Sequence, residues 1–292
     1  MSEKKERRKF GDRHDGKLLK NPDPMQVICP VLYPNRCDNE AYISARIDMA
    51  PIRAYVEKLN ADEKEFPYTP FHIITTALIK TITLRPKINR YVANKLMYQR
   101  NHVKVSFVVK KLFTDDGAEA LAIIKGEPDD TIKSIHQTLF EQISVSRSDV
   151  IDKSSESMDI VSRKPRRLAR AFCEICCFLD KIGKCPRGLI ETDPYYTSAV
   201  LSNLGSLKLK SGYHHLTNWG TCSIFCIVGE IKNSSYVKED GSIGVKETVD
   251  LGLTVDERIA DGYYYSKTLR LLEKLLANPE LLEKPMAEEI DY

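Results

Sequence analysis

Residues 251–262 read Leu251-Gly252-Leu253-Thr254-Val255-Asp256-Glu257-Arg258-Ile259-Ala260-Asp261-Gly262, and they cross from one kind of structure to another. The β-branched and apolar residues from Thr248 to Thr254 predict a strand. From Gly262 to Ala277 the leucines at 269, 272, 275 and 276 share one side of a helix, and Asn278-Pro279 stops it. Between strand and helix lies a charged corner holding Asp256, Glu257, Arg258 and Asp261. Some fifty residues earlier, Val200-Leu201-Ser202-Asn203-Leu204-Gly205-Ser206 places a hydroxyl and an amide just after a predicted strand, Ala199–Ser202.

The chain outside these two stretches mixes helix and strand patterns without a regular βαβ beat. Residues 48–60 read as a helix capped by Asp48, with Ile52, Tyr55, Val56 and Leu59 on one face. A second helix runs from Thr69 or Pro70 to Leu84 and ends at Arg85-Pro86. Val103–Val109 and Ala120–Ile124 are strands on either side of a turn at Asp115-Asp116-Gly117. Residues 131–146 form a helix with Ile132, Ile135, Leu139 and Ile143 as its stripe. Residues 147–164 are polar and serine-rich and read as a surface loop. The apolar helix Leu168–Ile182 reads as a core or interface element, and the basic cluster Arg163, Lys164, Arg166, Arg167 and Arg170 before it as a solvated face rather than a membrane contact. Thr221–Glu230 is a strand, and Glu239-Asp240-Gly241-Ser242 turns a hairpin between Ser235–Val237 and Ile243–Val245. One α/β domain of the α+β type with a mixed sheet follows.

Composition narrows the function. The 292 residues are 42% hydrophobic and 29% charged, ordinary for a globular chain. No apolar run reaches the ~18 residues of a membrane span. The charged start, Met1–Lys9, is followed by no apolar region, so the expected location is cytoplasmic. A net charge of +3 and a basic arm diluted by Glu3, Glu6, Asp12 and Asp15 argue against nucleic acid as a partner. Phosphate-loop, dinucleotide, zinc-protease and nucleophile-elbow signatures are all absent. Of the eight cysteines, Cys173, Cys176 and Cys177 share a face of an apolar helix and Cys222 and Cys226 a strand face. They read as reduced core thiols, with no metal site. His214 and His215 stand between two strands, either as loop residues bonded to backbone or as a source of an acid–base group.

The two opening stretches, taken together and in order, resemble the catalytic domain of the dihydrolipoyl acyltransferases of 2-oxo acid dehydrogenase complexes. In that family Ser-Asn-x-Gly stands on one strand and Asp-His-Arg-x-x-Asp-Gly before the last helix. Leu84-Arg-Pro-Lys-Ile-Asn89, the strand after it and the ending Leu275–Leu282 extend the likeness over about residues 17–285. The resemblance implies a chloramphenicol acetyltransferase-like two-layer sandwich with a mixed sheet and packed helices. It divides the chain into a basic arm at 1–16, a catalytic domain at 17–285 and a tail at 286–292. It also implies a homotrimer with sites between subunits, coenzyme A or acyl-coenzyme A as substrate, and a separate lipoyl-bearing protein as a partner, since this chain has no room for a covalent lipoyl module.

By the same resemblance Ser202 steadies the oxyanion, Asn203 and Gly205 border the coenzyme, and Asp261 holds its loop through an arginine, either Arg13 or Arg258. Lys208, Lys210 and Arg166 are further candidates for the coenzyme's phosphates, although each also fits a plain surface charge. The family's histidine is replaced by Glu257. A thiol near 8.5 and a carboxyl near 4.3 differ by about 4 pKa units, or ~6 kcal/mol uphill, against ~3 kcal/mol for an imidazole. Glu257 therefore serves as a base only in a dry site; otherwise His214 or His215 takes the role. The expectation is an acyltransferase moving an acyl group between coenzyme A and an acceptor. The alternative is an inactive acyl-coenzyme A binding module or trimeric scaffold.

Overall fold

The strand predicted from Thr248 begins earlier, at Ile243, and runs to Asp256 as the long inner strand of a six-stranded mixed sheet. The computed structural model describes residues 9–110, 119–147 and 163–292. In chain order the elements are β1 (Gly16–Leu18), α1 (Pro24–Leu32), β2 (Glu40–Asp48), α2 (Ala50–Leu59), α3 (Pro70–Leu84), β3 (Arg90–Ala93), β4 (Leu96–Arg100) and β5 (Val103–Lys110). There follow β6 (Glu119–Gly126), α4 (Ile132–Arg147), α5 (Arg166–Lys181), α6 (Arg187–Thr192), β7 (Ala199–Asn203), β8 (Ile224–Val237), β9 (Ile243–Asp256) and α7 (Gly262–Ala277). The turn expected at Asp115-Asp116-Gly117 and most of the loop expected over 147–164 lie outside the described residues.

The large sheet has the order β2-β9-β8-β7-β5-β6, and β7 is parallel to both its neighbours while every other pair is antiparallel. The hairpin of β8 and β9 is in the predicted register, with Ser235 opposite Val245 and Val237 opposite Ile243. Asp240 accepts from the Ser242 amide at 2.9 Å and Gly241 takes a φ of 79° to close it. A small antiparallel sheet, β1-β4-β3, stands apart.

Because strand side chains alternate between faces, Ala199 and Leu201 of β7 point to one side and Val200 to the other. The first side, with Val105, Phe107, Cys226, Val228, Leu251 and Leu253, meets α3, α4 and α7 in the main core. The second side carries a smaller cluster of Val200, Phe225, Ile227, Leu216 and Cys222. The chain segment leading back from β7 to β8 crosses this second face. Gly252 and Gly229 let it come close: a Cβ at 252 would run into the Gly212 carbonyl, and one at 229 into the Ser211 amide.

Packing extends beyond both expected domain boundaries. Arg13 is buried and pairs with Asp15 and Asp180, and Met286 is fully buried in the main core. Buried Lys80 of α3 fastens this end of the chain, its Nζ donating to the carbonyls of Leu281, Lys284 and Pro285 at 3.1, 3.0 and 2.8 Å. Of the two expectations for 168–182, core or interface, the core one needs correction: α5 turns only Cys176 and Asp180 inward and leaves Leu168, Phe172, Ile175 and Phe178 exposed. The contact that fixes its position is polar, since both guanidinium ends of Arg13 reach the Asp180 side chain and carbonyl.

Candidate active site

Three of the singled-out residues lie where β7 ends. Ser202 is half-buried and falls on the second face, two residues beyond Val200, while Asn203 turns to the first face. The Asn203 carboxamide oxygen accepts from the Ser206 amide at 3.3 Å and holds the 3-10 turn Leu204–Leu207 that contains Gly205. Lys208 ends that turn with a φ of 58°, a left-handed conformation that costs a non-glycine residue about 1 kcal/mol.

On the first face, Asn203, Gly205, Ser206 and Lys208 form one wall of an open cleft of about 630 Å³. The opposite wall is the start of α3, Thr69-Pro70-Phe71, with Met49 and Ile74 below it. Pro70 sits where a helix has no use for its amide. His72 completes the first turn, its Nδ1 accepting from the Thr69 amide at 2.8 Å. The same ring is packed edge-on against Phe66 and beside His136. Burial lowers its pKa to about 4, with the His136 ring adding to the effect.

The segment crossing the second face carries the two histidines. The His214 ring stacks on Phe225 at 4.2 Å and on His215 at 4.5 Å. Its Nδ1 lies 2.7 Å from the His215 carbonyl. A carbonyl only accepts, so Nδ1 carries a proton, and the neutral ring has its lone pair on Nε2. Phe225 is opposite Val200 in the register. Ser202 therefore lies on the same face as the His214 ring, ~7 Å further along β7. His215 is exposed, and among the described residues its ring stacks on His214 alone.

Glu257 begins a 3-10 turn straight after β9. It is exposed, and its carboxylate makes no hydrogen bond or ion pair among the described residues. The register sets it far from Ser202. Ser202 is opposite Ile227, and Ile227 is opposite Gly252. Glu257 follows five residues later, roughly 16 Å along the strand direction. One chain thus carries Ser202 and His214 on the same sheet face, ~7 Å apart along the strand direction, and leaves Glu257 roughly 16 Å from Ser202 in that direction.

The loop-holding role expected of Asp261 also needs correction. Asp261 is exposed and caps α7, accepting from the Tyr264 amide at 2.7 Å, so its charge is spent on the open end of the helix. Neither Arg13 nor Arg258 pairs with it. The carboxylate that organises this corner is Asp256, fully buried and gripped by Arg258. Arg36 approaches the same carboxylate at 3.6 Å and donates to the carbonyls of Thr217, Val92 and Gly220. Arg258 donates in turn to the carbonyls of Tyr33 and Pro34. Asp256 stood within the sequence stretch that decided the fold. Nothing local to Arg36 marked it, because its partners are distant in the chain.

Lys210 is exposed and outside the cleft, and Arg166 lies on α5. Among the described residues no three His, Cys, Asp or Glu side chains are grouped so as to hold a metal ion. No described helix is long and apolar enough to cross a membrane.

A six-stranded mixed sheet with one parallel strand pair on either side of β7, helices on one face and a crossing segment on the other, is a distinctive architecture. The structure aligns with a probable dihydrolipoamide acetyltransferase of Listeria monocytogenes at a TM-score of 0.56, with 14% identity over 88% of this chain and 94% of that one. This is the fold of the acyltransferase cores. The dihydrolipoamide acetyltransferase of Azotobacter vinelandii, studied for the roles of a serine, a histidine and an asparagine in catalysis, aligns at 0.57. Its identity is 14%, over 90% of this chain and 94% of that one. A chloramphenicol acetyltransferase aligns at 0.55, with 10% identity over 89% and 99% of the two chains. Residues 194–283 match the family of 2-oxoacid dehydrogenases acyltransferase (catalytic domain). No curated protein sequence matches the chain. The matched residues contain both motifs from which the resemblance was read, so the recognised likeness to the acyltransferase catalytic domain holds, and with it the α/β sandwich.

Proposed function

We propose that this chain is the core of a coenzyme A-dependent acyltransferase, with Ser202 and His214 as its reactive pair. The observation that carries this reading is the free lone pair of His214 Nε2 on the sheet face that holds Ser202. In the proposed reaction the thiol of coenzyme A or of a dithiol acceptor gives its proton to Nε2. The thiolate attacks the acyl thioester carbonyl, and the Ser202 hydroxyl donates to the resulting oxyanion. The tetrahedral adduct then collapses, the C–S bond to the leaving thiolate breaks, and that sulfur takes the proton back from the imidazole. An imidazole is closer to a thiol in proton affinity than a carboxylate is, which favours this base over Glu257.

The cleft bordered by Asn203, Gly205 and Lys208, with an amide, backbone and one exposed ammonium along a partly apolar wall, suits the coenzyme arm; it opens on the other face of the sheet from Ser202 and His214, so an arm seated there brings its thiol to them around the end of β7. Because Glu257 ends one strand far from Ser202, it reaches a Ser202 site only across a subunit boundary. A homotrimer, the arrangement implied by the family, brings the two ends together, and the structurally similar proteins include cores of multienzyme complexes. A lipoyl-bearing acceptor protein and a cytoplasmic setting complete the proposal.

The inactive reading, a module that binds acyl-coenzyme A without turning it over, is favoured by one observation: the family's histidine position holds an exposed carboxylate. Calorimetry with coenzyme A and acetyl-coenzyme A, followed by an acetyl-transfer assay with dihydrolipoamide, separates the two. Micromolar binding is expected, and His214→Ala is expected to lower kcat by ~10²–10⁴ with binding nearly unchanged. Glu257→Gln is expected to change kcat less than tenfold. Binding without turnover supports the inactive module. A loss confined to Glu257→Gln moves the base to that residue, and no binding of either ligand at millimolar concentration removes both readings.

A further inference from the structure

The helix α5 presents an apolar face that the described residues leave exposed. Leu168, Phe172, Ile175, Phe178 and Ile182 recur at three- and four-residue spacing and remain 61, 52, 57, 60 and 43% exposed. A surface helix normally turns such a stripe to the core. Here the residues turned inward are Cys176 and Asp180, which lie roughly a quarter turn or more away from that stripe. Asp180 is held there by Arg13, so the orientation is set by an ion pair and the stripe is left facing outward.

Charge is concentrated around the same helix. From Arg163 to Arg187 there are eight basic residues and two acidic ones, an excess larger than the whole chain's net charge of +3. The two acids are both engaged, Glu174 with Arg170 at 2.8 Å and Asp180 with Arg13. The basic residues bracket the stripe: Arg163, Lys164, Arg166, Arg167 and Arg170 at its start, Lys181, Lys184 and Arg187 at its end. A helix with phenylalanine and leucine on one side and arginine and lysine beside and around it lies along an anionic bilayer surface, its apolar side among the upper acyl chains and its cations at the headgroups.

We propose that α5 docks this protein peripherally on a membrane surface rich in anionic lipid. Charge complementarity selects that occupant over a neutral apolar partner, for which the bracketing cations would have no use. The contact is independent of the acyltransferase reading: it uses neither Ser202 nor His214, nor the cleft beside Asn203.

The test is sedimentation of the full chain with vesicles. Vesicles of equimolar phosphatidylcholine and phosphatidylglycerol are expected to carry the protein down, and phosphatidylcholine alone is not. Raising the salt to molar strength is expected to weaken binding at least tenfold. The exposed pair Phe172→Glu and Ile175→Glu is expected to abolish it. Lys164→Glu with Arg167→Glu is expected to weaken it at least tenfold. Both variants are expected to keep the elution volume and coenzyme A binding of the parent. Equal binding to neutral vesicles, or no binding to either, overturns the proposal. So does a drop in oligomer size in the Phe172 and Ile175 variant without vesicle binding by the parent, which assigns the face to a second copy of the chain.

Discussion

Arg258 reaches back two residues to grip Asp256 through two hydrogen bonds, Nε to Oδ1 at 2.8 Å and a terminal nitrogen to Oδ2 at 2.7 Å, with both side chains buried. This fork is the anchor of the corner between β9 and α7. With Arg36 alongside, one carboxylate faces two guanidinium groups; terminal nitrogens of both arginines donate to backbone carbonyls of Tyr33, Pro34, Val92, Thr217 and Gly220, while Arg36 Nε has no hydrogen-bond partner among the described residues. Glu257 is thereby held outward: its amide donates to the Asn39 carbonyl at 2.9 Å while its neighbours on both sides are locked inside.

Asp256→Asn is therefore expected to destabilise the fold by about 3–5 kcal/mol, because it leaves two buried cations without their counter-charge. Urea unfolding measures this. A loss below ~1 kcal/mol would mean that the carbonyls alone satisfy Arg36 and Arg258.

His72 predicts a pH dependence. Its folded pKa is lowered to about 4 by burial, against about 6.5 in an unfolded chain. Above pH ~6.5 the ring is neutral in both states and contributes nothing to the pH slope. As pH falls below that value the unfolded chain binds the proton first, so stability drops until the folded ring titrates near pH 4. The loss attributable to this ring is roughly 3 kcal/mol. His72→Gln keeps an acceptor for the Thr69 amide but removes the titration. The difference in unfolding free energy between parent and variant is expected to shrink or change sign across that window, and a difference independent of pH would sink the assignment.

Gly252→Ala tests the close approach over the second face. The added methyl meets the Gly212 carbonyl, so the segment carrying His214 must shift. A stability loss of about 1–3 kcal/mol is expected, with kcat in the transfer assay falling more than coenzyme binding. Equal effects on both, or none, would separate this segment from the reaction.

Much of the architecture was legible in the chain. The corner at 251–262, the hairpin turn at 239–242 and the helices α2, α3 and α7 all follow from local rules: period, caps and stop signals act over a few residues. Strand β2 went unread: Ala41, Ile43, Ala45 and Ile47 alternate along it, but two of the four are alanines and Ala41 and Ile43 are only partly buried, so the apolar signal is weak. The small sheet β1-β4-β3 carries no clear period, because its strands are short and lean on distant side chains such as Arg100, which donates to Tyr196 and Thr221.

The sequence by itself determined the longer helices, most strands of the large sheet, the paired motifs and the glutamate that stands at 257 where the family it resembles has a histidine. Those are properties of residue type and spacing. The tertiary structure alone decided that Ser202 shares a face with His214, that Glu257 stands at the far end of β9, that Asp256 rather than Asp261 anchors the corner, and that the apolar side of α5 faces outward. Each depends on strand register or on a buried ion pair between residues far apart in the chain. Such contacts are selected by the competition of charge, packing and desolvation across the whole fold, and leave little trace in the local sequence.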